Sequence, residues 1–252
     1  NGGSALEQLT EMAELERLSR QRPSILDHAR APMLDGIARY RASGMTPFST
    51  PGHKMGVGVD PELLALYGPS ALMSDIPVSG GVDDIHFKWE VWRQAEELGA
   101  DAWGSDRCFY LVNGSSAGNH AVLLSMLRPG DEVIVARDVH KSMMVALIHT
   151  GAKPIYVAPR LHPEHNVGLG IHPDDLAATL DAHPHARLVV LVSPSYCGVS
   201  SDLVGIAAVS HARGVPVYVD EAWGPLFHFH SALPQCAMAS GIDGQVASTI
   251  KV

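Results

Sequence analysis

The chain predicts an α/β fold, three layers α/β/α around a mostly parallel sheet. From residue 108 onward, short apolar runs alternate with helical patterns of about 10–12 residues, the mark of βαβ units. The runs are continuous rather than alternating, as strands buried on both faces require. One of them, in Val215–Gly224 (VPVYVDEAWG), ends abruptly at Asp220 and Glu221. In an open α/β sheet the ligand crevice lies outside the carboxyl ends of the strands, so an acid there points at a bound group.

Composition narrows the classes. The chain has 252 residues, 46% hydrophobic and 18% charged, an ordinary globular balance with room for one large domain or two small ones. A net charge of −9 without any dense Lys/Arg run argues against a nucleic-acid surface. Cys108, Cys197 and Cys236 are far apart and form no CxxC, which fits a reducing, cytoplasmic setting. No apolar run approaches the ~18 residues of a membrane span, and the polar N-terminus is unlike a signal peptide. The chain opens at Asn1 and ends one residue past Lys251, so a fragment of a longer enzyme is expected.

Residues 1–45 are expected to be a helical segment outside the sheet. Leu6–Arg20 carries apolar residues at 6, 9, 12, 15 and 18 among Glu and Arg. Pro23 breaks that stripe, Ser24 can cap a second helix toward Arg30, and Pro32 interrupts again before Met33–Arg41. Such helices pack on a partner subunit or stand as a solvated arm. The remainder, 46–252, forms the main domain.

Thr46–Gly58, TPFSTPGHKMGVG, is loop by its prolines and glycines; its His53 and Lys54 are either functional or simply solvated. Ser79–His86 is a second loop with Asp83 and Asp84, and Trp89–Gly99 an amphipathic helix. Strands are then predicted over Cys108–Val112, Glu132–Ala136, Pro154–Ala158, Leu188–Val192 and Val215–Val219. Helices are predicted over Ser116–Leu127, Lys141–Thr150, Pro173–His183 and Asp202–Arg213. A last short run, Gln245–Thr249, leads to Lys251.

Chemistry gathers at the strand ends. Asn113–His120, NGSSAGNH, joins a strand to a helix; its glycines and hydroxyls at a helix N-terminus make an anion site suited to phosphate. A plain capped turn is the bland alternative. His140 in DVHKS follows the next strand, and SPSYCG brings Ser195 and Tyr196 after another. Asp220 ends a fourth strand, and Lys251 follows a fifth. Pyridoxal 5'-phosphate (PLP) needs all of these together: a cradle for its phosphate, a lysine for its aldehyde and a carboxylate for its ring nitrogen.

The stretches TPFSTPGHKMG, SGGVDDIH, FYLVNGSSAGN, RDVHKS, SPSYCG, VDEAWG and STIK occur in the order found in one family. Over Thr46–Val252 the chain resembles the Orn/Lys/Arg decarboxylases, PLP-dependent enzymes of fold-type I. The resemblance implies the large-domain fold of the aspartate aminotransferase type. It also implies that Ser115, Ser116 and the amide of Ala117 hold the cofactor phosphate, with Ser248 adding a contact. His140 would stack on the ring, Asp220 pair with its nitrogen, Ala222 and Trp223 line the pocket, and Lys251 attach the cofactor covalently. No metal is implied. The implied activity converts lysine, ornithine or arginine to an amine and CO₂ in a homodimer or higher oligomer. Two departures stand out: Ile250 occupies a position where the family has a phosphate-supporting His, and the family continues well past the lysine.

Rival readings remain. The same cofactor site serves aminotransferases and aldolases. A Rossmann dehydrogenase is disfavoured because the GxGxxG fingerprint is missing. His162, His165, His228 and His230 could be metal ligands, but no zincin spacing accompanies them. An inactive fragment or pseudoenzyme that keeps the fold is the non-enzyme alternative.

Overall fold

The computed structural model describes residues 26–77, 82–83 and 90–251. The chain divides into two compact units, Asn1–Phe109 and Tyr110–Val252. The helix expected over Leu6–Arg20 lies outside the described residues, as do Ser24 and Asp84.

In the first unit Leu26–Arg30 is a turn, not the end of a helix. Asp27 explains the difference, since its Oδ1 accepts the Ala29 N–H (3.0 Å) and its carbonyl the Arg30 N–H (3.0 Å). A short polar side chain that bonds its own backbone competes with helix formation. Helix α1, Pro32–Ala42, starts at Pro32 instead of being interrupted by it. Proline fits the first helical position because the N–H it lacks has no helical partner there. Pro61 and Pro69 open α2 (Pro61–Tyr67) and α3 (Pro69–Ser74) in the same way, two helices not foreseen from sequence. The last helix of this unit, α4, spans Val91–Trp103 and stops at Gly104, whose φ of 66° is the left-handed conformation glycine accepts cheaply. Asp83 caps α4, its Oδ2 accepting the N–H groups of Glu90 (3.2 Å) and Trp92 (2.7 Å).

In the second unit the alternation of the sequence becomes a doubly wound sheet. The elements are α5 (Gly114–Met126), β1 (Glu132–Ala136), α6 (Lys141–Thr150), β2 (Lys153–Val157), α7 (Pro173–Ala182), β3 (Val189–Val192), α8 (Leu203–His211), β4 (Val217–Glu221) and β5 (Gly244–Ala247). The strand order is β2-β1-β3-β4-β5, and every neighbouring pair is parallel. Pro154, which cannot donate to a ladder, sits on the edge strand β2.

The pleat separates two cores. Val133, Val135, Val190, Tyr218 and Val246 face α5 and α6, packing with Leu123, Met143 and Leu147. Ile134, Ala136, Val189, Leu191, Val217 and Val219 face α7 and α8, packing with Leu176, Leu180, Leu203 and Ile206. Each fully buried aliphatic side chain contributes about 1.5–3 kcal/mol. With both faces covered, the runs read as continuous in the sequence.

One predicted strand is absent: Cys108–Val112 is irregular and belongs to no sheet. Its large apolar side chains, Phe109 to Val112, are largely exposed. β propensity expresses itself only where a neighbouring strand takes up the ladder and the side chains are covered. The two carboxylates, in turn, are the last residues of β4 rather than its boundary.

Candidate active site

The chain leaves β1 toward β2 on one side and β3 on the other, so the strand order reverses beside β1. Ligand crevices of open α/β sheets form at such a point, outside the carboxyl ends. Four adjacent strands carry polar residues there: β1 leads to His140, β3 to Ser193–Ser195, β4 ends in Asp220, and β5 leads to Ser248 and Lys251. Register aligns them, with Asp220 level with Val192 on β3 and Val246 on β5.

Asp220 is 3% exposed. Its Oδ1 accepts the Ala222 N–H (3.1 Å), and its Oδ2 accepts the side-chain amide of Asn119 (2.8 Å). The second Asn119 amide hydrogen goes to Ser142 Oγ at 2.8 Å, while Asn119 Oδ1 accepts the Tyr218 hydroxyl at 2.8 Å. Tyr218 shares the Asp220 face because strand side chains two apart point the same way. Burial, and then the Asp220 charge, push the Tyr218 phenol far above its usual range, so it stays a donor.

His140 is the N-cap of α6. Its Nδ1 accepts the Ser142 N–H at 3.2 Å and lies 2.9 Å from Ser142 Oγ. A backbone N–H can only donate, so Nδ1 carries the lone pair and the ring proton sits on Nε2. His140, Ser142, Asn119, Asp220 and Tyr218 are therefore one hydrogen-bonded group.

A second group is aromatic. Lys251 Nζ stands 4.5 Å from the Trp223 ring centroid, and Tyr196 meets Trp223 edge-on at 5.9 Å. Among the described residues Lys251 makes no ion pair. It ends a 3₁₀ turn, Thr249–Lys251, that starts after buried Ser248; Ile250 in that turn is 87% exposed. Buried Ala222 joins the two groups through the backbone, between Asp220 and Trp223.

The third group is the first turn of α5. Its N-cap, Asn113, makes no side-chain capping bond, and Gly114 has φ 71°. Ser115, Ser116 and Ala117 are half-buried there, one turn before Asn119. A Cβ on Gly118 would lie 2.7 Å from Leu111 Cδ1 and 2.9 Å from Val246 Cγ2, so the glycine lets α5 press against β5.

Asn119, Ser142 and Tyr218 were not singled out in the sequence. The signal for Asn119 was a polar amide inside a helix, one turn beyond Ser115 and Ser116. Ser142 lay in DVHKS beside His140, but nothing in that stretch couples it to a residue on another helix. Outside the crevice, Glu221 faces the opposite side of the sheet, where its Oε1 accepts the Ala237 N–H (2.9 Å) and its Oε2 is buried without a partner. His53 is held by Asp75 (2.9 Å) in the first unit, and Lys54 donates to the Ser49 carbonyl. His162 Nδ1 accepts two backbone N–H groups, and His228 lies 3.2 Å from Cys236 Sγ. Among the described residues no group of three or more His, Cys, Asp or Glu side chains is placed to hold a metal, and no helix is long and apolar enough to cross a membrane.

This parallel, doubly wound sheet is the large-domain architecture of fold-type I enzymes. Within that class, the chain belongs to the Orn/Lys/Arg decarboxylase family, whose major domain matches residues 31–252. It is 37% identical over 221 residues to an arginine decarboxylase of Halalkalibacterium halodurans, covering 88% of this chain and 45% of that relative. It is 36% identical to an arginine decarboxylase of Bacillus subtilis, again covering 45% of that relative. The chain thus spans less than half the length of these curated relatives. Among solved structures, the lysine decarboxylase LdcF of Francisella novicida superimposes with a TM-score of 0.78 at 24% identity, covering 88% of this chain and 34% of that one. Lysine decarboxylase A of Pseudomonas aeruginosa does so at 0.76 and 24%, covering 96% and 35%.

Proposed function

We propose that residues 46–252 form a PLP-binding large domain that serves the decarboxylation of a basic amino acid, lysine, ornithine or arginine, to its amine and CO₂. The observation that carries this reading is the buried Asp220 carboxylate at the end of β4, next to the strand that leads to Lys251. The donor set fits the cofactor. Each Asp220 oxygen takes one protein N–H and keeps lone pairs for another donor. Lys251 is an amine without a carboxylate partner among the described residues. The first turn of α5 offers N–H groups that no side chain caps.

PLP, when bound, supplies an aldehyde for lysine and an electron-accepting ring. Asp220 would hold the proton on the ring nitrogen, and His140 would present its ring face. Ser115, Ser116 and the Ala117 amide would bind the phosphate, with Ser248 adding a hydroxyl. Lys251 would attach the cofactor and return after each turnover; Ala222 and Trp223 would wall the crevice. The names of the curated relatives support the decarboxylase assignment over aminotransfer or aldol chemistry. A homodimer in the cytoplasm completes the proposal.

One observation favours a second reading, a chain that keeps the fold without turnover: exposed Ile250 brings no polar group to the lysine turn. A visible spectrum with added PLP separates the two. The enzyme reading expects a visible band that borohydride fixes covalently and that Lys251→Ala lacks. CO₂ release from lysine, ornithine and arginine then identifies the substrate. A chain that never colours is not a PLP enzyme as it stands.

A further inference from the structure

Asn119 links Asp220 to the Ser142 hydroxyl that lies beside His140. It is fully buried, 0% exposed, in the middle of α5. A carboxamide has two hydrogens and one oxygen acceptor, and all three are committed: to Asp220 Oδ2, Ser142 Oγ and the Tyr218 hydroxyl. The elements that supply these partners, α6 and β4, are far apart in sequence; Asn119 is 101 positions from Asp220 and 23 from Ser142.

The direction of each bond follows from chemistry. Tyr218 must donate to Asn119 Oδ1, because its phenol is held protonated. The Asn119 amide must donate to both oxygens it faces. Ser142 Oγ, accepting from Asn119, is left with its own hydrogen to give, and His140 Nδ1 lies 2.9 Å away. The Ser142 N–H by itself places the imidazole proton on Nε2; the Ser142 hydroxyl adds a second donor to Nδ1, and the Asn119 amide holds both that hydroxyl and the Asp220 carboxylate.

We propose that Asn119 is a positioning residue: it holds the Ser142 hydroxyl against His140 Nδ1, and by direct contact it orients Asp220, so that both groups face a bound cofactor in one registered arrangement. The proposal rests on the PLP reading for its purpose but not for its test.

The test is ¹⁵N NMR of histidine-labelled full chain with no cofactor added. In the unmodified chain His140 should show an unprotonated, hydrogen-bonded Nδ1 and a protonated Nε2. Asn119→Ala should keep the tautomer, which the Ser142 N–H fixes, but shift the His140 Nδ1 resonance as the Ser142 hydroxyl loses its amide donor, and it should weaken PLP binding about tenfold, the size of one lost hydrogen bond to a charged group. Ser142→Ala keeps the Asn119–Asp220 bond and guards against a variant that does not fold. It should shift the His140 Nδ1 resonance, since the hydroxyl donor is gone and only the backbone N–H remains, while leaving PLP affinity nearer that of the unmodified chain. A folded Asn119→Ala chain with an unchanged His140 spectrum would overturn the proposal, as would averaged tautomers in the unmodified chain. If Asn119→Ala does not fold, a Ser142→Ala spectrum whose His140 Nδ1 resonance is unshifted overturns it too. Because the spectrum needs no cofactor, a chain that never turns yellow but shows the locked tautomer defeats the PLP reading alone.

Discussion

Asp220 and Glu221 are consecutive residues of β4 that end on opposite faces of the sheet, one fully partnered and one half-orphaned. The Asp220 oxygens take N–H groups from Asn119 and Ala222. Glu221 has one bond, to Ala237, and a buried Oε2 with none. Burial pushes the Glu221 carboxyl up from 4.5 to about 7, against the lowering effect of the Ala237 N–H. The folded chain thus holds a proton that the unfolded chain releases near 4.5. Stability should fall as pH rises from about 4.5 to about 7 and stay low above it, a loss on the order of 3 kcal/mol at most. Glu221→Gln keeps an acceptor for Ala237 and removes the charge. Urea denaturation at pH 5.5 and pH 8 should show the variant flatter with pH and more stable at the higher value; equal pH slopes would refute this.

Asp220→Asn should be costly despite the matched shape. An amide in that place must set an NH₂ against either Asn119 Nδ2 or the Ala222 N–H, so one donor faces another. One buried unsatisfied group costs about 1–3 kcal/mol. Thermal unfolding should register that loss, and the PLP-dependent visible band should weaken with it. A variant as stable as the parent would mean that the amide pair relaxes apart.

Gly118→Ala tests the seat of α5 on β5. The added Cβ would lie 2.7 Å from Leu111 and 2.9 Å from Val246, both methyl groups, so the neighbours must move. Overpacking of this kind costs about 1–3 kcal/mol. Gly118→Ala should lower the unfolding midpoint, whereas a helix-favouring alanine without the clash would raise it.

Trp223 reports directly on Lys251. Of the four tryptophans it is the one in the second unit, and the lysine Nζ lies 4.5 Å from its ring. Loading PLP and reducing it onto Lys251 should quench part of the tryptophan emission, and Trp223→Phe should abolish that quench. The same variant weakens the cation–π contact, worth about 0.5–1 kcal/mol at an exposed site. Undiminished quenching in Trp223→Phe would place the modified lysine elsewhere.

Much of this was legible in the chain. β1 and α6 match their predicted spans residue for residue, and the other strands and helices from 116 onward shift by a few residues at their ends. Continuous apolar runs between capped helices leave little choice of fold, because only a sheet covered on both faces buries them. The short proline-led helices α2 and α3 escaped because each is too brief to show a period. Cys108–Val112 misled because propensity describes a residue and not whether a neighbouring strand exists.

By itself, the sequence determined which residues stand at the strand ends, His140, Asp220, Ser248 and Lys251, and which open a helix, Ser115 and Ser116. Strand direction and turn chemistry are local, and local rules are written in adjacent residues. The tertiary structure alone decided which partners those residues have. That Asn119 spans Ser142 and Asp220, that Tyr218 closes its oxygen, and that Glu221 is left with an orphan oxygen all depend on strand order and register. Hydrogen bonds between residues a hundred positions apart follow from packing, which no spacing along the chain encodes.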